Sequence, residues 1–303
     1  MTDHSPRVLH HDAVMVSEVL EHLQVRPGGR YIDCTVGAGG HAAAILKAGE
    51  PDCRLLGLDA DPQALNLARQ RLAPFGDRVT LVESYSNEIA LIAAEAGFVP
   101  ADGLICDLGI SSLQLDQPER GFSFRAEGPL DMRFGPSADC TAADIVNSES
   151  QEELARILYE YGEERRSRRI ARRIVERRPF SSTIQLAKAV EQVAGEGRQA
   201  SRSRVHPATK TFLALRIAVN QELRHLETVL AEARDLLGFG SRFVVISFHS
   251  LEDRLVKRFL QNASRSDAPT FRLLTRKVVR TGPDEVQRNR RSRSARLRAA
   301  EAI

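Results

Sequence analysis

The chain has 303 residues, 42% of them hydrophobic, and a formal net charge of +3 left by 43 Lys and Arg against 40 Asp and Glu. That length and apolar share suffice for one large domain or two smaller ones and exclude a disordered polymer. No stretch approaches the roughly eighteen apolar residues of a membrane helix, and Met1 to Arg7 lacks the apolar segment of a signal peptide. Cys34, Cys53, Cys106 and Cys140 form no C-x-x-C pair, so neither a zinc cage nor a disulfide framework is expected, and a reducing cytoplasm is the expected setting.

From His11 to Leu23, Val16, Val19, Leu20 and Leu23 recur at helical spacing, and Arg26 to Gly29 turn the chain into a first strand. Tyr31-Ile-Asp-Cys-Thr-Val-Gly-Ala-Gly-Gly-His41, followed by an alanine-rich run to Lys47, reads as strand, tight loop and helix. Gly37, Gly39 and Gly40 allow left-handed backbone and close approach of a ligand, and the helix start offers N–H groups with no intrahelical acceptor. A second strand, Arg54 to Leu58, ends at Asp59, 22 residues after Gly37 and close to the roughly twenty expected of an acid that grips ribose hydroxyls. The third glycine of G-x-G-x-x-G is missing, which disfavours a pyrophosphate and favours S-adenosylmethionine, an adenosine cofactor without phosphates.

Asp61 and Pro62 open a helix to Leu72, which makes Asp61 a cap before it is a ligand. Arg78 to Glu83 form a third strand, with Tyr85 just beyond it, placed either to cover an adenine or to close the core edge. Asp102 to Asp107 form a fourth strand that ends in another carboxylate. Strands alternating with helices over this half imply an α/β fold with a parallel, doubly wound Rossmann-like sheet.

A long irregular stretch follows Asp107. It carries Phe122, Phe124, Leu130, Met132 and Phe134, too many apolar groups for disorder, and is expected to be an ordered active-site loop. Aromatics beside Arg120, Arg125 and Arg133 suit a splayed nucleobase and its phosphates, or a loop pinned by its own rings. From Thr141 to Glu196 only helices are expected, with openings at Thr141 and Ser150; the middle one, Glu163 to Arg178, is rich in arginine and, with Arg198, Arg202 and Arg204, reads as a phosphate-binding face or as a solvated helix face. This segment is an inserted helical lobe. A long helix from His206 to about Leu237 leads to a strand, Arg242 to Phe248, with His249 at its carboxyl end and Ser250 capping the helix Leu251 to Gln261. Exposed strands near Phe271 to Val279 and Ala295 to Arg298 are expected to flank a mobile loop holding Arg288, Arg290, Arg291 and Arg293.

Several motifs are long and unusual: Thr35 to His41, Asp107-Leu-Gly-Ile-Ser-Ser112 with Gln114, Arg120-Gly-Phe-Ser-Phe124, Gly128-Pro-Leu-Asp-Met-Arg133, His206-Pro-Ala-Thr209 and Ser247-Phe-His-Ser-Leu-Glu-Asp-Arg254. Over nearly its whole length the chain resembles the S-adenosylmethionine-dependent (cytosine-N4)-methyltransferases of bacterial 16S ribosomal RNA, with Phe134 and Leu213 as small departures. The resemblance implies a class I methyltransferase domain over 1–116 and 208–303 and an inserted helical RNA-recognition domain over 117–207. It implies cofactor binding by Gly39, Gly40, His41, Asp59, Tyr85, Asp107 and Gln114, and 16S ribosomal RNA, within the small subunit, as partner.

No metal is called for, and the sequence is compatible with a homodimer. An amine conjugated to a ring is a poor nucleophile, so the site must orient it and accept its hydrogens. Asp107 is the first catalytic candidate; His249 is the second, against a reading as a locally satisfied histidine. Arg120, Phe122, Phe124 and Arg133 are the candidates for substrate. A DNA amino-methyltransferase and a non-catalytic RNA-binding assembly factor are the alternatives.

Overall fold

A computed structural model describes residues 13–195 and 206–303, so Arg198, Arg202 and Arg204 lie outside the described residues. Two compact units divide the chain, one made of Met1–Gly109 and Glu227–Ile303, the other of Ile110–Leu226.

The first unit is built on an eight-stranded sheet. Its strands are β1 (Arg30–Asp33), β2 (Arg54–Asp59), β3 (Val79–Glu83), β4 (Ala101–Asp107), β5 (Leu237–Ser247), β6 (Phe271–Leu273), β7 (Val279–Arg280) and β8 (Arg296–Ala302). They run in the order β3-β2-β1-β4-β5-β8-β6, with β7 beside β8. β3, β2, β1, β4 and β5 are parallel, while β8 is antiparallel to β5, β6 and β7. Helices Gly40–Ala48, Pro62–Leu72 and Ile89–Glu95 link the first four strands. Such strands are covered on both faces, which is why β2 and β4 read as near-continuous apolar runs. Tyr31, Ile45, Leu55, Ile105, Val244 and Leu297 pack one side of the core. After β1 the chain winds one way to β2 and β3 and then the other way to β4 and β5. That reversal opens a crevice at the carboxyl ends of β1 and β4.

Three expectations are corrected here. β8 is a buried strand, not an exposed one, because β5 and β6 flank it. His249, not Ser250, caps the helix Ser250–Arg265: its Nδ1 accepts the Glu252 N–H, and the Glu252 carboxylate accepts the His249 N–H. The Arg-rich stretch is not a bare loop but a helix, Pro283–Arg288, and a 3-10 turn, Arg290–Ser294, with Ser292 wholly buried.

The second unit packs helices Ala142–Ser148, Gln151–Glu160, Ser167–Glu176, Thr183–Gly195 and Thr209–Asn220 around an apolar core. The long helix expected after His206 breaks at Gln221, which is left-handed (φ 48°), and resumes as Glu222–Leu236. Helix Ser167–Glu176 buries Ile170, Ala171 and Ile174 and turns Arg168, Arg169 and Arg172 to solvent.

The stretch after Gln117 is ordered from within. Leu130 and Met132 enter the core, the Met132 N–H donates to Arg120 O (3.0 Å), and the Ala143 N–H donates to Leu130 O (2.7 Å). Gly128 lets two segments touch, since a Cβ there would lie 1.8 Å from Pro118 O. No described helix is long and apolar enough to cross a membrane.

Candidate active site

The carboxyl edge of the first unit's sheet gathers most of the singled-out residues. β1 ends at Asp33, and the chain turns through Thr35 to Gly39 before the helix Gly40–Ala48. Gly39 is the N-cap at φ +79°, an angle at which a side chain is strained, and a Cβ there would press on Leu72. The first N–H groups of this helix have no acceptor within it, and the helix dipole makes that end positive.

Carboxylates and a hydroxyl brace the loop and join three strand ends. The Thr35 N–H donates to Asp33 Oδ1 (3.0 Å), and the Gly37 N–H donates to Asp59 Oδ2 (2.8 Å). Asp59 Oδ1 accepts the Asp61 N–H (2.8 Å), while the Thr35 hydroxyl accepts the Asp107 N–H (2.7 Å). Asp61 itself caps the next helix by accepting from Gln63, as its position before Pro62 predicts. Asp59 pairs across the ladder with Glu83, and the Ser84 N–H donates to Asp59 O, so the half-buried Tyr85 follows directly beside this end of β2.

Burial pushes the Asp33 carboxyl up to about 7, although the nearby His41 pulls it down. Burial likewise raises Asp59 to about 6 against the pull of the N–H groups of Asp61 and Gly37. For His41, 5% exposed, burial disfavours the charged ring, but Asp107 and Asp33 outweigh it and its pKa is raised.

His41 Nε2 lies 3.4 Å from Asp107 Oδ2, an ion-pair distance without hydrogen-bond alignment. His41 Nδ1, Asp33 Oδ2 and Asp107 Oδ1 are buried with no protein partner. Buried polar atoms in native proteins are nearly always satisfied, so three such atoms beside an open helix start mark a place that a polar ligand completes. Asp33 and Thr35 were absent from the expected site; the signal for both was their place immediately before the glycine turn.

His249 also lies at this edge, two residues beyond Ser247 at the end of β5, with Nε2 3.0 Å from Glu252 Oε1. The remaining expected residues belong to the second unit. Gln114 is buried, and its side-chain oxygen accepts the Ser111 N–H in a capping box. Phe122 is a core residue stacked on Phe134 (ring centroids 5.7 Å apart), whereas Phe124 is half-buried against His206 (4.6 Å) and Phe212 (4.9 Å). Arg120 donates to the carbonyls of Arg133 and Phe134, and Arg133 is bidentate on Asp131.

A family profile described as the MraW methylase family matches residues 8–303. The chain belongs to the MraW methylase family. Among curated relatives, it is 49% identical to the ribosomal RNA small subunit methyltransferase H of Dehalococcoides mccartyi, covering 97% of this chain and 86% of that protein. The proteins of the same name from Thermomicrobium roseum (48% identity, 97% and 94% covered) and Nostoc sp. (49%, 97% and 93%) are similarly close.

MraW methylases are S-adenosylmethionine-dependent, and the residues present fit that cofactor. A carboxylate at the end of β2 suits a ribose diol, and a glycine turn without the third glycine of G-x-G-x-x-G suits an adenosine that carries no pyrophosphate. The partnerless carboxylate oxygens of Asp33 and Asp107 suit a ligand bearing positive charge.

Proposed function

We propose that the protein methylates the N4 amine of a cytosine in the decoding region of 16S ribosomal RNA by direct in-line transfer from S-adenosylmethionine. The observation that carries this reading is Asp107, held at the end of β4 by Thr35 with one carboxylate oxygen left without a protein partner, one strand from the glycine turn. The names of the relatives, all small-subunit ribosomal RNA methyltransferases, support an RNA acceptor.

When bound, the cofactor supplies an electrophilic methyl group on a sulfonium. Gly39, Gly40 and His41 would hold it at the helix start, Asp59 would take the ribose and Tyr85 would cover the adenine, while Gln114, in the helical unit, is assigned to the cofactor by the family resemblance alone. Asp107 accepts a hydrogen bond from the exocyclic amine, which orients the amine and stabilises the positive charge that builds on nitrogen as the new bond forms. His41 Nε2 lies 3.4 Å from Asp107 Oδ2 and would help hold that carboxylate in position. His249, the second candidate at the same edge, has Nδ1 on the Glu252 N–H and Nε2 facing Glu252 Oε1, so it would have to release Glu252 before accepting a proton.

On the RNA side, the loop carrying Arg120, Phe122, Phe124 and Arg133 frames the substrate surface of the helical unit, with Phe124 as its more exposed ring. Arg168 and Arg172 on the helix Ser167–Glu176 supply positive charge for phosphates.

Methyl transfer from labelled cofactor to small ribosomal subunits, compared with duplex DNA of equal nucleotide content, tests the acceptor. Label on the RNA, mapped by mass spectrometry to N4 of a cytosine, is the expected result. DNA as the better acceptor would replace this reading with that of a DNA amino-methyltransferase. RNA binding without transfer would replace it with that of an assembly factor.

A further inference from the structure

Between β6 and β8 the chain exposes Arg276, Lys277, Arg280, Arg290 and Arg293. A run of cations is usually just a solvated face, but this one is built. β7 pairs Val279 with Leu297 and Arg280 with Arg296. The Thr281 hydroxyl donates to Ser292 O (2.6 Å), and the Ser292 hydroxyl donates to Asn289 O (2.7 Å). Ser292 and Ala295 are fully buried, so the arginines between and around them stand on a fixed backbone.

Topology puts this surface beside the cofactor edge. Arg296 pairs with Ser247, the last residue of β5, so β7 lies at the same end of the sheet as Asp33 and Asp107. On the other flank, Glu285 Oε1 accepts the Met15 N–H (2.9 Å). Two residues before Met15, Ala13 presses on the glycine loop so closely that a Cβ on Gly40 would lie 2.7 Å from its own. Glu285 also adds to the field that holds the His41 pKa up. The basic segment is thus tied to the start of the cofactor helix on one side and to the end of β5 on the other.

Charge pairing separates its arginines from their neighbours. Arg298 and Arg296 are engaged by Asp253 (2.7 and 3.7 Å), whereas Arg280, Arg290 and Arg293 make no ion pair with any described residue. Guanidinium groups left unpaired on a rigid frame match the geometry of phosphodiester oxygens.

We propose that the segment bearing Arg280, Arg290 and Arg293 is a docking surface for the phosphate backbone of the RNA acceptor, holding the strand next to the methyl-donor site within the first unit. This rests on the ribosomal RNA reading above and adds to it a contact outside the helical unit.

The test uses the full chain with Arg280→Gln, Arg290→Gln and Arg293→Gln combined, titrated with a transcript of the small-subunit decoding region over a series of salt concentrations. The slope of log affinity against log salt should fall by about two to three, near one per phosphate contact, with affinity at low salt at least about tenfold weaker. S-adenosylmethionine affinity by calorimetry should stay within about twofold, since these side chains lie outside the cofactor residues. A variant that melts like the parent, binds cofactor and keeps both RNA affinity and salt slope would overturn the docking surface. Should the triple variant not fold, Arg290→Gln and Arg293→Gln singly should each lower the slope by about one, and an unchanged slope in both overturns the surface equally. Failure of the parent chain to methylate RNA would instead count against the acceptor, a separate measurement.

Discussion

At the scale of single residues the proposed mechanism rests on Asp107, which shares with the nearby Asp33 a buried carboxylate oxygen without a protein partner. Replacing Asp107 by Asn keeps the shape but removes the charge that accepts the amine hydrogens. Single-turnover transfer should fall by about 10²–10³, measured with labelled cofactor, while RNA binding in a filter assay stays intact; unchanged turnover would remove Asp107 from the mechanism.

Asp33 makes a different prediction, because burial raises its pKa to about 7 and that of Asp59 to about 6. A folded-state pKa above the unfolded value contributes stability that is full below about pH 4 and is lost as pH rises through about 6 to 7. Asp33→Asn should therefore flatten the fall in melting temperature between pH 5 and pH 8. The cofactor's cationic centre favours the ionised carboxylates, so its affinity should rise with pH over the same interval. Calorimetry at several pH values checks this, and S-adenosylhomocysteine, without the sulfonium, should show a smaller dependence.

At the scale of elements, the loop after Gln117 depends on a residue far away in sequence. Asn220, at the end of helix Thr209–Asn220 and 2% exposed, accepts the Phe134 N–H (2.7 Å) and donates to Met132 O (2.8 Å) and Arg216 O (2.9 Å). Asn220→Ala leaves these buried groups unpaired and should cost about 2–4 kcal/mol in chemical denaturation; a loss under about 0.5 kcal/mol would show that water replaces the amide. The order of this loop was legible from its aromatics, but not what orders it. Phe122 turned inward to stack on Phe134, and Arg120 and Arg133 turned to carbonyls and Asp131. Sequence spacing gives no measure of the distance from position 134 to position 220. Capping shows the same division. Thr141, Ser150 and Asp61 act as caps where their spacing places them, whereas His249 displaced Ser250 because a histidine nitrogen can accept the N–H that a hydroxyl usually takes.

For the molecule as a whole, the four cysteines are all free, three of them buried. Melting with and without a thiol reductant should coincide; a downward shift on reduction would reveal a disulfide. The near-neutral net charge of +3 conceals two strongly basic faces, one on the helix Ser167–Glu176 and one between β6 and β8. Totals of this kind say little about partners, because ionic screening makes binding depend on charge within about 10 Å.

The sequence by itself determined the strand–turn–helix at the glycines, the carboxylates that end β2 and β4, and the alternation that makes the first four strands parallel. These depend on backbone propensity and local periodicity, which act within a dozen residues. Only the tertiary structure decided that Thr35 joins β1 to β4, that the Asp33 carboxyl is buried, that β8 lies inside the sheet, and that the last arginines stand on a folded frame at the carboxyl edge of the sheet. Each of these is a contact between segments distant along the chain. Such contacts follow from which surfaces must leave water together, a condition set by the whole fold and not by any window of it.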